Sequence, residues 1–307
     1  MDAELPVEPN GSRLIGLIHA MRPRQWLKNA LVVAAPLAAG KLTDVPVASR
    51  TIIAFVAFSL AASGTYLLND ANDVDADRRH PTKRNRPIAA GIVPVRAARG
   101  FGVILLAGGL ATSAAASRGL VTTVVAYLVL TAAYTLWLKD QPVLDIVAVA
   151  AGFVLRALAG AAATNLPISE WFFIVTSFGA LLMVTGKREG ERKELQGDAA
   201  SIRPTLGVYT DSYLLFLRSV ASGVVLIGYC LWAFESAHNS VTTDSTTIFF
   251  QLSILPFSVA ILRYALLIDQ GAGGEPETLV LRDRPLQIAA AAWAIIYTYG
   301  VYVAGQT

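Results

Sequence analysis

The feature that most limits this chain is a series of apolar stretches, each long enough to cross a lipid bilayer. They lie at roughly 27–42, 48–69, 97–117, 120–138, 143–164, 170–186, 213–235, 246–268 and 286–304. Hydrophobic residues make up 54% of the 307 residues and charged residues only 15%, against about 25% in a typical soluble domain. We therefore expect an all-α membrane protein, a bundle of about nine transmembrane helices that forms a single domain over residues 1–307.

The number of transmembrane helices and their orientation depend on particular residues. The count falls to eight if the third and fourth stretches are one helix, but Ser117, Arg118 and Gly119 favour a turn between them. With the N-terminus in the cytoplasm, 20 of the 25 Lys and Arg residues fall in cytoplasmic segments. Since cytoplasmic segments are enriched in positive charge, this distribution predicts the orientation.

The predicted protein is thus a multi-pass plasma-membrane protein with residues 1–20 in the cytoplasm and the C-terminus on the outer side. Two long cytoplasmic loops, 70–96 and 187–212, are expected to carry the functional site. The formal net charge of +3 is too small to indicate a nucleic-acid partner. The sequence leaves the oligomeric state open, a homo-oligomer included.

An acidic cluster ends the second stretch. If the helix continues through residue 77, Asp70, Asp73 and Asp77 lie within about 60° of one another, Tyr66 joins that face, and Asn69 lies at its edge. Carboxylates this close repel each other, and oxygen ligands favour a hard cation such as Mg2+ or Mn2+. The cluster therefore predicts one half of a metal–diphosphate site; the alternative is a solvated helix end.

Basic residues stand close to this cluster and at one buried position. Lys83, Arg84 and Arg86 follow the aspartates, so they are expected to bind phosphate oxygens or to form salt bridges with the acidic residues. The fifth stretch carries Asp145 and Arg156. Because an arginine inside a membrane is costly unless it faces a partner or a cavity, Arg156 is expected to bind an anionic group or a structural counter-ion.

Three further groups lie at stretch ends. Lys187 and Glu191 are one helical turn apart at the end of the sixth stretch. Lys28 enters the first stretch, and Tyr134 and Lys139 end the fourth. For the tyrosine and the two lysines near the interfaces, ordinary membrane anchoring is the alternative to substrate binding.

The acidic motif carries a resemblance to a known family. Asn69-Asp70-x-x-Asp73-x-x-x-Asp77, followed by Lys83-Arg84-x-Arg86-Pro87, resembles the first aspartate-rich motif of the UbiA-type intramembrane prenyltransferases. The resemblance covers nearly the whole chain and implies a UbiA-like helical bundle. The usual second motif, Asp-x-x-x-Asp, is altered here, because Lys187 and Glu191 stand at the two acidic positions.

This departure is similar to one branch of the family, which transfers phosphoribose to decaprenyl phosphate. The segments that carry this second resemblance are Arg22-Pro-x-Gln25-Trp26-x-Lys28-Asn29, Phe153-Val-Leu-Arg156-Ala and Lys187-Arg188. It implies a membrane phosphoribosyltransferase, a pentosyltransferase that moves 5-phosphoribose from phosphoribosyl pyrophosphate to a polyprenyl phosphate and releases pyrophosphate. The product would supply cell-wall arabinan synthesis.

The resemblance also implies roles for particular residues. Mg2+, or Mn2+, is expected on Asn69, Asp70, Asp73 and Asp77, the three aspartates being catalytic. The residues expected to bind substrate are Lys28, Tyr66, Lys83, Arg84, Arg86, Tyr134, Lys139, Arg156, Lys187, Arg188 and Glu191. Two alternatives stay open: a UbiA-type prenyltransferase using a prenyl diphosphate and an aromatic acceptor, and an anionic-lipid transporter. Charges crowded on one face favour a one-sided enzyme over a transporter.

Overall fold

Helices are the regular secondary structure of this protein in a computed structural model, which describes residues 13–80, 82–195, 204–239, 244–271, 273, 279 and 282–302. The α-helices are α1 (Arg13–Ala20), α2 (Ala34–Ala38), α3 (Val45–Asn72), α4 (Val74–Arg79), α5 (Val95–Ala114), α6 (Arg118–Leu136), α7 (Leu144–Thr164), α8 (Glu170–Leu195), α9 (Pro204–Val208), α10 (Asp211–Asn239), α11 (Asp244–Asp269) and α12 (Arg284–Tyr302). Three 3-10 helices span Pro23–Val33, Lys83–Asn85 and Leu138–Asp140. The all-α prediction is confirmed.

Six of these helices have the length and the apolar composition to cross a membrane, namely α3, α5, α6, α7, α10 and α11. The predicted turn between the third and fourth stretches is confirmed, because α5 ends at Ala114 and α6 begins at Arg118. The side chain of Ser117 caps α6 by accepting the Leu120 N–H at 2.9 Å. The predicted total of nine spans is not confirmed by the residues that the structure describes.

The first predicted span, at 27–42, is not one α-helix. Its first part is the 3-10 helix Pro23–Val33, and the five-residue α2 follows. Because residues three apart share a face of a 3-10 helix, Trp26, Asn29 and Val32 face the same way. Val32 is fully buried, and the other two donate to α3: Trp26 Nε1 to Ser63 Oγ at 3.0 Å, and Asn29 Nδ2 to Ser59 Oγ at 3.1 Å.

The two segments predicted as loops are largely helical. In 70–96 the chain forms the end of α3, then α4 and a 3-10 turn. In 187–212 it continues α8 through Leu195 and adds α9. Ion pairs one turn apart extend α8 beyond its apolar part, such as the one between Arg188 Nη1 and Glu191 Oε2 at 2.7 Å. Residues 1–12, 196–203 and 303–307, on which other parts of the topology prediction fall, lie outside the described residues.

The chain forms two compact units, and the single domain over 1–307 stays a prediction. Unit 1 comprises the described parts of Met1–Pro36, Leu42–Thr131 and Leu155–Leu166. Small residues let its helices pack closely: a Cβ at Gly64 of α3 would lie 2.8 Å from the carbonyl oxygen of Gly102 in α5. Its core includes the fully buried Phe58, Leu120 and Val124.

Unit 2 comprises the described parts of Leu37–Lys41, Ala132–Val154 and Pro167–Thr307. One part of its core packs Leu182 of α8, Ala221 of α10 and Ile268 of α11. Another is an aromatic cluster of α10, α11 and α12, made of Tyr229, Trp232, Phe250, Phe257, Trp293 and Tyr297. One polar pair lies within the cluster, where Trp293 Nε1 donates to the Tyr229 hydroxyl at 2.7 Å, and the Tyr297 hydroxyl donates to the Ala38 carbonyl oxygen at 3.2 Å.

Gly160→Ala is expected to destabilise the protein. A Cβ there would overlap the Val32 carbonyl oxygen and lie 2.9 Å from Pro36 Cδ, so backbone atoms must shift, at about 1–3 kcal/mol. Gly100→Ala is the control, because a Cβ at Gly100 meets nothing within 4 Å and gains about 0.5–1 kcal/mol of helix propensity. Thermal midpoints in detergent compare the two variants, and equal midpoints would contradict the close contact.

Candidate active site

The acidic cluster keeps a common face although the helix is interrupted at Asp73, between α3 and α4. The Asp73 N–H donates to the Asn69 carbonyl oxygen at 2.9 Å, and the Asp77 N–H donates to the Asp73 carbonyl oxygen at 2.9 Å. One atom of Arg86, Nη1, lies 3.2 Å from Asp70 Oδ1 and 2.8 Å from Asp77 Oδ2. The predicted stripe is therefore confirmed for Asp70 and Asp77, both buried, whereas Asp73 is exposed.

A second cation, Arg22, belongs to this cluster. Its Nη2 lies 2.8 Å and 3.0 Å from the two carboxylate oxygens of Asp70. Its guanidinium also lies over the Tyr66 ring, 4.9 Å from the centroid. Arg22 has a left-handed backbone with φ of 54°, an uncommon conformation outside glycine. The sequence left membrane anchoring open as one interpretation of this segment, and the structure places Arg22 on the aspartates.

The residues of the cluster fit a hard cation. In the described part of the chain no three His, Cys, Asp or Glu residues come together as a ready-made cage. Mg2+ does not need such a cage, because it binds through one or two carboxylates, retained waters and substrate phosphates. Asp73 is exposed and stands one turn before Asp77, so carboxylate oxygens are available at consecutive turns. The metal role of Asn69, Asp70, Asp73 and Asp77 stays a prediction.

The basic residues after the cluster divide into two kinds. Arg86 is half-buried and salt-bridged to the aspartates, as one of the two sequence interpretations expects. Lys83 and Arg84 are exposed on the short 3-10 helix. No ion pair between described residues involves either of them, so both can reach a soluble anion. Lys28 is half-buried.

Arg156 is buried and donates hydrogen bonds to two neutral side chains. Its Nε donates to Asn29 Oδ1 at 2.8 Å, and its Nη2 donates to the Tyr127 hydroxyl at 3.0 Å. The guanidinium also lies 4.7 Å from the centroid of the Tyr127 ring. Asn29 is 1% exposed and donates in turn to Ser59. The sequence analysis gave Asn29, Ser59 and Tyr127 no role. The available sign of this network was Asn29 itself, a polar residue inside an apolar stretch.

A second buried network lies in unit 2, around Asp145. Asp145 is fully buried and accepts hydrogen bonds from the hydroxyls of Tyr209 and Thr205. Arg188 Nη2 lies 3.3 Å from it, and Arg188 Nη1 lies 2.7 Å from Glu191. Burial, and then the bond to Asp145, raise the pKa of Tyr209 above its usual value. Two carboxylates thus neutralise Arg188, and its substrate role stays a prediction.

The other predicted residues of this unit are more accessible. Lys187 has a side chain 44% exposed, with Nζ 4.0 Å from Glu191 Oε1. Tyr134 is half-buried and lies close enough to interact electrostatically with Arg188. Lys139 is exposed on the 3-10 helix Leu138–Asp140.

One network of unit 2 was not anticipated from the sequence. Arg218 Nη1 lies 3.0 Å from Glu189 Oε2, and its Nη2 lies 2.6 Å from Asp269 Oδ1. The pairs join α8, α10 and α11. Arg218 is one of the 20 residues counted as cytoplasmic, although it falls within the predicted stretch 213–235; it lies inside α10 and is 7% exposed. An arginine inside an apolar stretch was the available signal, but its partners are distant in sequence.

Comparison with known proteins gives this geometry its context. The profile of the UbiA prenyltransferase family matches residues 30–283. The chain belongs to this family. A decaprenyl-phosphate phosphoribosyltransferase of Mycobacterium tuberculosis is 45% identical over 308 residues, which cover 99% of this chain and 99% of that protein. One of Corynebacterium glutamicum is 45% identical over 294 residues, 94% of this chain and 87% of that protein.

The fold of this UbiA protein agrees with solved structures. A UbiA homolog from Archaeoglobus fulgidus, bound to GPP and Mg2+, has a TM-score of 0.69 and 18% identity, covering 93% of this chain and 99% of that chain. The UbiA-like, all-α prediction is thereby confirmed. The protein is a multi-pass membrane enzyme, and its family membership favours the enzyme interpretation over the transporter.

Asp145→Asn is expected to lower the stability of this UbiA protein. It removes a counter-ion from Arg188, whose side chain is 2% exposed, and breaking a buried pair costs about 3–5 kcal/mol. Asp211→Asn is the matched control: Asp211 pairs with Arg192 at 2.7 Å but its side chain is 81% exposed, so the substitution should leave the stability nearly unchanged. Thermal unfolding in detergent measures both. A loss in Asp145→Asn no larger than in the control would contradict the assignment.

Proposed function

We propose that this protein transfers 5-phosphoribose from phosphoribosyl pyrophosphate to decaprenyl phosphate or a related polyprenyl phosphate, releasing pyrophosphate. The observation that carries the proposal is the 45% identity, over 99% of both chains, to a decaprenyl-phosphate phosphoribosyltransferase. The altered second motif supports it, since Lys187 replaces an acidic residue that a second metal would need. The lipid product would serve as a precursor of cell-wall arabinan.

The location follows from the substrates and the charges. The donor is water-soluble and highly anionic, so its site must open to the cytoplasm. We assign the protein to the plasma membrane, with the N-terminus and the acidic cluster on the cytoplasmic side and the C-terminus on the outer side. The excess of Lys and Arg in the predicted cytoplasmic segments supports this orientation.

The reaction needs positioning and charge stabilisation more than proton transfer. The bond between the sugar C1 and the pyrophosphate oxygen breaks, and a bond between C1 and an oxygen of the lipid phosphate forms. Because the lipid phosphate is ionised at neutral pH, no strong general base is required. Most of the rate enhancement then comes from orientation and electrostatics.

The acidic cluster would hold the donor through a metal ion. Mg2+ bound to Asp73 and Asp77, with Asn69 and Asp70 beside them, would stabilise the charge on the leaving pyrophosphate. Arg86 keeps Asp70 and Asp77 together and can donate to phosphate oxygens through its remaining N–H groups. Lys83 and Arg84, both exposed, are suited to guide and bind the same anion.

The remaining basic and aromatic residues are assigned to the phosphate groups and their surroundings. Arg156, Lys187 and Arg188 would interact with the 5-phosphate of the donor or with the lipid phosphate. Their donors supply charge-assisted hydrogen bonds. Lys28, Tyr66, Tyr134, Lys139 and Glu191 complete the proposed substrate-binding set.

Asp77→Ala is expected to abolish transfer, at least a hundredfold, because it removes a proposed metal ligand; such losses are of the order of 10²–10³-fold for one electrostatic group. The assay is mass spectrometry of the lipid formed by purified protein from phosphoribosyl pyrophosphate, Mg2+ and polyprenyl phosphate. Asp75→Ala is the matched control: Asp75 lies on the same helix with a side chain 84% exposed. Near-normal transfer by Asp77→Ala would contradict the metal assignment.

Lys187→Asp tests whether the altered motif defines the donor. The substitution creates an Asp-x-x-x-Glu pattern with Glu191 and replaces a proposed phosphate ligand by a repelling charge. We expect weaker use of phosphoribosyl pyrophosphate and stronger binding of a prenyl diphosphate, measured with the two radiolabelled donors. Lys187→Ala separates loss of the positive charge from gain of the carboxylate. Unchanged donor preference in Lys187→Asp would show that the altered motif does not define the donor.

A further inference from the structure

A row of polar contacts joins Arg22 and the 3-10 helix Pro23–Val33 to one face of α3. Arg22 contacts Asp70, Trp26 contacts Ser63, and the last contact of the row joins Asn29 to Ser59. The partners on α3 move towards its N-terminus as the first segment advances, so the two run antiparallel. The row begins at the acidic cluster and ends at Asn29, the residue that also contacts Arg156.

Both ends of the Asn29 amide make a hydrogen bond, one to Ser59 and one to Arg156. The guanidinium of Arg156 can only donate, so the amide oxygen of Asn29 must face it and the amide nitrogen must face Ser59. Because Asn29 is 1% exposed, water does not compete for either group. Arg156 is therefore fixed at Nε by Asn29 and at Nη2 by Tyr127, which sets the plane and direction of its guanidinium.

Asn29 contacts Arg156 through a neutral amide, whereas other arginines of this protein contact carboxylates. Arg22, Arg86, Arg188 and Arg218 each contact carboxylates. At position 29 the chain carries the amide that is isosteric with aspartate. An aspartate would accept the same hydrogen bond but add a negative charge next to the guanidinium, where the low dielectric strengthens charge interactions. An amide supplies the orientation without the charge.

We propose that Asn29 is a positioning residue, which orients Arg156 towards a phosphate group of a substrate while adding no charge of its own. The inference rests on the proposed function and deepens it. The phosphate belongs either to the sugar donor or to the lipid acceptor; both present the same dianionic oxygens, and kinetics with each substrate varied in turn distinguish them.

Asn29→Asp is the decisive variant, because it keeps the size and the acceptor for Arg156 Nε. Ser59 can rotate its hydroxyl to donate to the new carboxylate. We expect the thermal midpoint to be kept and the KM for one of the two phosphate substrates to rise about tenfold or more, with kcat changed less. Equilibrium binding of that substrate, measured separately by calorimetry, should weaken by the same factor.

Two further variants control for other effects. Trp26→Phe removes the neighbouring contact with Ser63 but touches neither Asn29 nor Arg156, so its KM values should match the wild type. Asn29→Asp placed in an Arg156→Gln background should cause no additional loss, because the two residues act as one unit. An additive loss would show that Asn29 does not act through Arg156.

The outcomes separate this inference from the proposed function. Absence of phosphoribosyl transfer by the wild type would contradict the function itself. An active wild type with unchanged KM values and binding in Asn29→Asp would overturn only the role of Asn29. If Asn29→Asp fails to fold, Asn29→Ala takes its place: it loosens Arg156 without adding charge, and a wild-type KM for both substrates would equally overturn the proposal.

Discussion

The antiparallel row of hydrogen bonds between the first segment and α3 is the interaction on which unit 1 depends. In an apolar environment, a polar side chain must find its partner inside the protein, and here three successive partners lie along one helix face. Its two ends hold the side chains on which the proposed chemistry relies, because Arg22 fixes Asp70 and Asn29 fixes Arg156. The site is thus prepared by residues that need not touch substrate.

The partly or fully buried arginines of this protein differ in the charge of the side chains that they contact. Arg188 and Arg218 are buried with carboxylates and join helices of unit 2. Arg156 is oriented by the amide of Asn29 and the phenol of Tyr127. The charge of the residue at position 29 would therefore determine how strongly Arg156 attracts an anion. Arg86 contacts two carboxylates and remains partly accessible.

Much of this organisation is readable in the sequence, and the exceptions have physical causes. Apolar length predicted the helices, and the spacing of Asp70 and Asp77 predicted their shared face, because both depend on neighbouring residues. The 3-10 form of Pro23–Val33 was missed, since it is stabilised by contacts with Ser59 and Ser63 of a later helix. The pairing of Arg188 with Asp145 was missed for the same reason, because Asp145 is distant along the chain.

The 3-10 form of the first segment determines how much of α3 that segment can lie alongside. Eleven steps along α3, from Ser59 to Asp70, rise about 16 Å at 1.5 Å per residue. The facing steps from Arg22 to Asn29 are only seven, and an α-helix would advance about 10 Å over them. At about 2.0 Å per residue the 3-10 helix advances about 14 Å. The longer rise of the 3-10 helix thereby lets seven residue steps lie alongside eleven steps of α3. Inserting or deleting one residue between Arg22 and Asn29 would therefore uncouple the aspartates from Arg156.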